Sequence, residues 1–317
     1  MSNTHNRAGI ALAIVFLTAI AVVVAGLIVS QAAGGYPQVV RGIGLAAPSG
    51  GDEVYDARDY QAVQVDMGDV SIVFLPSEDG DIHVTLPWEA DIRVNTGGST
   101  LSFRQREGDW WRGFGRWSST QETMYVYVPD GFPFVGAQSA SGSVDVDGIR
   151  CGGMVVGSAS GRVSLADVVC TGDLFGNSIS GAVDSERLTA ERITLKSTSG
   201  RVEAYGLEAK DIELETISGR IEAETIARCS LRANTVSGRM DLDLRKAANG
   251  KVSTISGNVS LMTSGEQTVR CSTVSGDVRL EGNRVSGRSS VLQRGEDSLE
   301  VSTTSGNIDI ERTGSVD

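Results

Sequence analysis

Histidine is almost missing from this chain of 317 residues: only His5 and His83 occur. With His5 near the N-terminus and His83 alone in a strand-like stretch, no imidazole cluster exists to hold a metal or to drive a nucleophilic triad. Cysteine is nearly as sparse, at four residues, and no Cys-x-x-Cys, Gly-x-Ser-x-Gly or Gly-Gly-x-Gly-x-Asp pattern occurs. Those absences remove the zinc, α/β-hydrolase and calcium-solenoid signatures. Aromatic residues make up 5% of the chain, too few for a bulky helical core. Positive charge is short too: 28 Lys and Arg against 40 Asp and Glu leave −12, the wrong sign for a nucleic-acid partner. That balance reads as the solubility of an exposed domain. The carboxylates recur once per repeat, as solvated side chains do, and form no isolated pair suited to acid–base work. The expectation is a non-enzymatic protein with no cofactor, no metal and no evident small-molecule substrate.

Charge is absent altogether from Ile10 to Val29, twenty residues that follow a short polar tail, 1–9. As a helix such a run spans about 30 Å, the hydrocarbon thickness of a bilayer. A transmembrane helix over 10–30 is expected to be retained, because the apolar region of a cleavable signal is only about 7–15 residues long. The following "SQAAGG" is the feature that favours cleavage instead. No cysteine precedes Cys151 to carry a lipid. Arg7 before the span and Arg41 after it lean toward a cytoplasmic N-terminus, with the bulk of the chain extracytoplasmic. Residues 31–59 are rich in Gly, Pro and Ala and read as a linker.

What is abundant is glycine, and it is periodic. From residue 60 to 137 apolar residues alternate at period two, as in "QAVQVDM" and "TMYVYV", which marks strands with one buried face. From 138 to 317 Ser-Gly pairs recur with their glycines at Gly142, Gly161, Gly181, Gly200, Gly219, Gly238, Gly257, Gly276 and Gly306. Successive spacings are 19, 20, 19, 19, 19, 19, 19 and 30 residues. A fixed period near twenty signals a solenoid. Val202, Ile221, Met240 and Val259 hold one place in it, and the pairs Ile193/Leu195, Ile212/Leu214 and Leu231/Ala233 hold another. Leu188, Leu207 and Ile226 are expected inside between them. A single coil buries too little to fold alone, so only a stack is stable. The expected architecture is all-β, a β-solenoid of about eight or nine coils, roughly 40 Å long at the strand spacing. Its glycines are expected to turn corners, its Ser and Thr to stack as hydroxyl ladders, and its last, longer gap to hold an inserted loop at Asn283 to Arg294.

The phrases "GDVSIVF", "YVYVPDG", "SGRVEA", "SGRIEA" and "SGDVRL" resemble the bacterial "putative adhesin" domain-of-unknown-function family, membrane-anchored β-solenoids with SGxVxV coils. The resemblance spans roughly Gln61 to Glu311. It implies a bacterial cytoplasmic-membrane location and adhesion, and carries over no catalytic residue.

Three features remain as candidate sites. Arg162, Arg201, Arg220 and Arg239 form one column and Glu203, Glu222 and Asp241 its neighbour, which reads as a self-compensating surface ladder. Cys151 and Cys170 fall in one register of successive coils, close enough for a disulfide or for two stacked thiols. Cys271 reads as core, and Cys229 falls in a turn without a partner. The segment "REGDWWRGFGRWSSTQ" gathers Trp110, Trp111, Arg112, Phe114, Arg116 and Trp117. It suits a cap over the first coil, a protein contact or a lipid-headgroup contact. The resulting reading is a scaffold held to the membrane by Ile10–Val29 with protein partners in or at the membrane, for instance an accessory subunit of a respiratory or photosynthetic complex. A cell-surface adhesin or envelope sensor is the alternative, and a β-helical polysaccharide enzyme a weaker one.

Overall fold

Each repeat supplies two short strands, one on either side of its Ser-Gly pair, and each hydrogen-bonds in parallel to the same strand of the next repeat. The computed structural model describes residues 45–46, 51–88, 90–105, 122–264, 267–285, 289–292 and 297–313. Strands that follow the Ser-Gly pairs form a front ladder: Val144–Asp147, Val163–Cys170, Val183–Thr189, Val202–Glu208, Ile221–Thr225, Met240–Asp243 and Val259–Ser264. Strands that precede them, from Phe132–Ser139 to Asn249–Thr254, form the back ladder. The pairing of Arg150 and Cys151 with Val169 and Cys170 links the two ladders into one sheet, of 28 strands among the described residues. Val202, Ile221, Met240 and Val259 are consecutive register partners and fully buried. The stacking read from the period is therefore correct along this stretch.

The repeated glycines serve a different purpose from the one expected. None of those from Gly142 to Gly306 has a positive φ. Instead, a Cβ on Gly219 would lie 1.9 Å from the Gly200 carbonyl oxygen, and one on Gly238 would lie 1.8 Å from that of Gly219. The coils touch backbone to backbone here, leaving no room for a methyl group. In most coils the hydroxyl three residues before the glycine binds the contact together. Ser158 accepts from Gly161 N–H at 2.9 Å and donates to Gly142 C=O at 2.9 Å. Thr216 does the same with Gly219 at 3.1 Å and Gly200 at 3.0 Å. The hydroxyl ladder thus runs through glycine backbone as far as Thr216; Thr235 donates to Ile217 C=O at 3.5 Å instead, and the buried hydroxyl of Thr254 has no partner.

A second corner does require left-handed backbone. Gly148, Asp167, Arg187 and Gly206 have φ of 69°, 53°, 55° and 68° in four successive coils. The two non-glycine residues bear the associated strain and bind each other, Arg187 Nη2 to Asp167 Oδ2 at 2.8 Å. In the next coil the corner is one residue shorter, and Leu207 pairs with Thr225 across a register shift. Ile226 is consequently displaced to the surface, 52% exposed, which corrects its expected place in the core.

The ends depart further from sequence order. Asn249–Thr254 and Val259–Ser264 are covered by the last coil, Ser298–Thr303 and Ile308–Thr313. The preceding repeat, Thr268–Thr273 and Val278–Leu280, lies outside it. The extra residues in the last gap reverse the chain so that this becomes feasible. A tight turn at Glu281 and Gly282, both of positive φ, sends Asn283–Arg284 back antiparallel. Ser289–Leu292 then pairs antiparallel with the outer edge of Thr268–Thr273. The expected loop is thus a folded reversal. At the N-terminal end Ala62–Met67 and Ser71–Pro76 likewise lie between Thr100–Gln105/Thr123–Val128 and the coil of Phe132–Ser139. With these, the described residues form a stack of eleven coils, more than the repeat count implied, and it continues without a break across residues 137 and 138.

Structure also begins earlier than the expected linker boundary. Gly51–Tyr55 is a strand antiparallel to Ile82–Leu86, and Ala57–Asp59 is a 3-10 turn. Both are too short to show a period, which is why they read as linker. Tyr55 packs edge-on against Tyr60 and Phe103, at 6.4 and 5.8 Å between ring centres. These aromatics lie at the N-terminal end of the stack. Among the described residues no helix is long and apolar enough to cross a membrane; Ile10–Val29 lies outside them.

Candidate interaction surface

The outer side of the front ladder neutralises itself. Arg201 Nε lies 3.4 Å from Asp184 and 2.8 Å from Glu203. Arg220 reaches Glu222 at 2.6 Å and, one coil on, Asp241 at 2.7 Å, while Arg239 meets the same Asp241 at 2.9 Å. Arg162 pairs with Asp184. Hydrogen bonds to Asp241 hold the Arg220 guanidinium above its usual range. Each such exposed pair contributes at most about 1 kcal/mol, but together they leave no arginine of this column free to hold an anion. The alternation read from the sequence is therefore a charge zipper across coils.

The back ladder differs. Its outward row runs Glu213, Arg232, Lys251, Glu300, Arg270 in spatial order. These residues line a shallow groove of about 640 Å³. Glu213 is engaged by Lys196 at 3.3 Å, and Lys251 meets Glu300 only at 4.0 Å. Arg232 and Arg270 make no ion pair with any described residue. In a chain of net charge −12, these are cations available to an outside partner. Sequence reading missed them because Arg232, Lys251 and Arg270, spaced by nineteen residues, belong to an outward position without a uniform chemistry.

Cys151 and Cys170 are register partners as foreseen, and their buried thiols sit 3.3 Å apart. Contact with Cys151 and burial both push the Cys170 thiol up. Cys271 is core, and Cys229 is buried as well, its thiol raised to about 11 by burial. His83 is half-exposed and anchors a turn, with Nε2 2.7 Å from Asp79 Oδ1. That contact, with the Asp81 N–H and Ser77 hydroxyl, holds the Asp79 carboxyl down at about 2. Among the described residues no group of three His, Cys, Asp or Glu is placed to hold a metal. Trp110, Trp111, Arg112, Phe114, Arg116 and Trp117 lie outside the described residues, in the connection between Thr100–Gln105 and Thr123–Val128.

Comparison with known proteins adds the following. No curated protein matches the chain. A crystal structure of a "putative adhesin" from Bacteroides fragilis NCTC 9343 is similar at 16% identity, covering 84% of this chain and 99% of that one, with TM-score 0.48. A second "putative adhesin", from Parabacteroides merdae ATCC 43184, is similar at 11% identity, 84% and 98% coverage and TM-score 0.47. A "putative lipid binding protein" from Parabacteroides distasonis ATCC 8503 is similar at 9% identity, 84% and 98% coverage and TM-score 0.40. A family model described as Toastrack DUF4097 matches residues 60–311, which takes in nearly all the coils described above. This chain belongs to the Toastrack DUF4097 family.

Proposed function

We propose that the chain is a non-enzymatic interaction scaffold, anchored in a bacterial cytoplasmic membrane by Ile10–Val29 with its coils on the extracytoplasmic side. Its back-ladder groove receives an acidic segment of a membrane-associated protein partner. One observation carries this reading: Arg232, beside Lys251, and Arg270, beyond Glu300, make no ion pair with any described residue, whereas the front-ladder arginines are neutralised within the chain. Complementary charge across an interface favours encounter and correct register. Stacked coils supply a rigid support for it. The segment of Trp110, Trp111 and Trp117, with Arg112, Phe114 and Arg116, is a second contact on this reading. It leaves the outermost coil at Gln105 and returns at Thr123. Such a protein suits an accessory subunit of a larger membrane complex.

The test places a photo-cross-linking residue at Lys251, at Trp111 or at Glu222 of the full chain in its native membrane. Positions 251 and 111 are expected to cross-link one partner that also co-purifies at fixed stoichiometry, and position 222 is not. The double reversal Arg232→Glu/Arg270→Glu should weaken that association at least about tenfold, equivalent to about 1.4 kcal/mol. A protein released alone by mild detergent, with no cross-link at 251 and binding to whole cells instead, contradicts the scaffold reading and favours an adhesin.

A further inference from the structure

In the strand Ile308–Thr313, side chains turn inward at Ile308 and Ile310, and Arg312 continues that row. The Nε and Nη2 of Arg312 are buried and have no hydrogen-bond partner. These two nitrogens form one edge of the guanidinium, the fork that grips both oxygens of a carboxylate. The register partner of Arg312 on the neighbouring strand is Thr263, 0% exposed, and its hydroxyl is also unpartnered. No ion pair reaches Arg312 among the described residues. Cys271, near enough for the Arg312 charge to act on it, supplies no thiolate, because burial pushes its thiol up to about 12.

Arg312 is only part-buried as a whole, but the two donors on this edge are closed off from water without a partner, and an anion satisfies such donors better than a neutral group does. Water could fill the hydrogen bonds but would leave the charge. The outermost strand, Val278–Leu280, pairs with Ile308–Ile310 and turns away at Glu281, so it does not extend over Arg312. We propose that the Arg312 fork and the Thr263 hydroxyl form a binding site for a small carboxylate entering from solvent at the C-terminal end of the stack. This site is separate from the groove and does not depend on it.

Formate is the probe. The full chain in detergent is unfolded thermally while sodium formate replaces sodium fluoride at constant ionic strength. Saturating formate is expected to raise the midpoint by roughly 5 °C, the shift that linkage gives for a ligand well above its dissociation constant. Arg312→Met should lose this response, and Thr263→Val should need about tenfold more formate, for the loss of one hydrogen bond to a charged ligand. If Arg312→Met does not fold, Arg312→Lys, which keeps the charge without the fork, should respond less than the parent chain. Absence of a formate shift in the parent chain overturns the proposal. So does an equal shift in the Met or the Lys variant.

Discussion

Alanine at Gly219 is expected to destabilise the stack by about 4 kcal/mol or more, a loss reserved for clashes that no side-chain rotation can relieve. The new Cβ would sit 1.9 Å from the Gly200 carbonyl oxygen, 2.6 Å from its carbon and 2.8 Å from Thr216 Oγ1. Two of those atoms are backbone. Relief therefore requires the coils to part, which stretches ladder hydrogen bonds on both sides and the Thr216 bridge. Gly80 supplies the contrast. Its φ is +86° and nothing lies within 4 Å of a Cβ there, so Gly80→Ala should cost only the left-handed strain, about 1–2 kcal/mol. Urea unfolding of the two variants separates a steric role for the Ser-Gly glycines from the conformational role that their turn-like sequence suggests.

Ending the chain after Asp297 should do more than fray one end. The final coil lies between two others, so its loss strips Leu299, Val301, Ile308 and Ile310, all essentially fully buried, from two interfaces at once. At about 2 kcal/mol for each such side chain, the drop should exceed roughly 10 °C in the unfolding midpoint. Proteolysis should open Thr268–Leu280 with it. Direct closure of the gap is opposed by the outward and inward rows alike. Lys251 would face Arg270 with Glu300 gone, and like charges opposed at strand spacing repel. Gly250, whose empty side is filled by Leu299 at 2.7 Å from the position of a Cβ, would meet Val269 across a void. The bridging by Asn307, which accepts from Asp277 N–H at 3.0 Å while its own N–H bonds Asn258 at 2.9 Å, would also be lost. If sequence order held in space, the same truncation would remove a single terminal layer and leave Thr268–Leu280 protected.

Much of this architecture was legible in the residues. Nineteen-residue spacing and alternation of Val, Ile and Leu are strong because burial imposes both on every coil, and Val202, Ile221 and Met240 stand where that logic puts them. The Arg–acid columns were legible for a similar reason, since neighbouring columns of opposite charge must meet at strand spacing. The exchanged order of the last two coils was not. Parallel stacking satisfies the same period whichever coil lies on which, and only pairwise details discriminate: Lys251 and Arg270 as unfavourable neighbours, Gly250 awaiting a large side chain, eleven residues beyond the period. Ile226 was misplaced because loss of the left-handed corner shifts the register by one residue, and alternation reverses sides with each such shift. The groove was invisible for another reason. Its cations share an outward position with Glu213 and Glu300, so no uniform column of one charge marks it in the sequence.

Cross-linking measures the coil order most directly. Ser260, Asp309 and Arg279 occupy one row of the front ladder, with Asp309 paired to both others. Ser260→Cys with Asp309→Cys places two thiols on adjacent strands, about 4.8 Å apart at the Cα atoms and inside the range a disulfide accepts. Ser260→Cys with Arg279→Cys places them about 9.6 Å apart, outside it. The account predicts rapid oxidation of the first pair and none of the second. Rapid oxidation of the 260–279 pair, with the 260–309 pair remaining reduced, would show that the coils stack in sequence order and would contradict it.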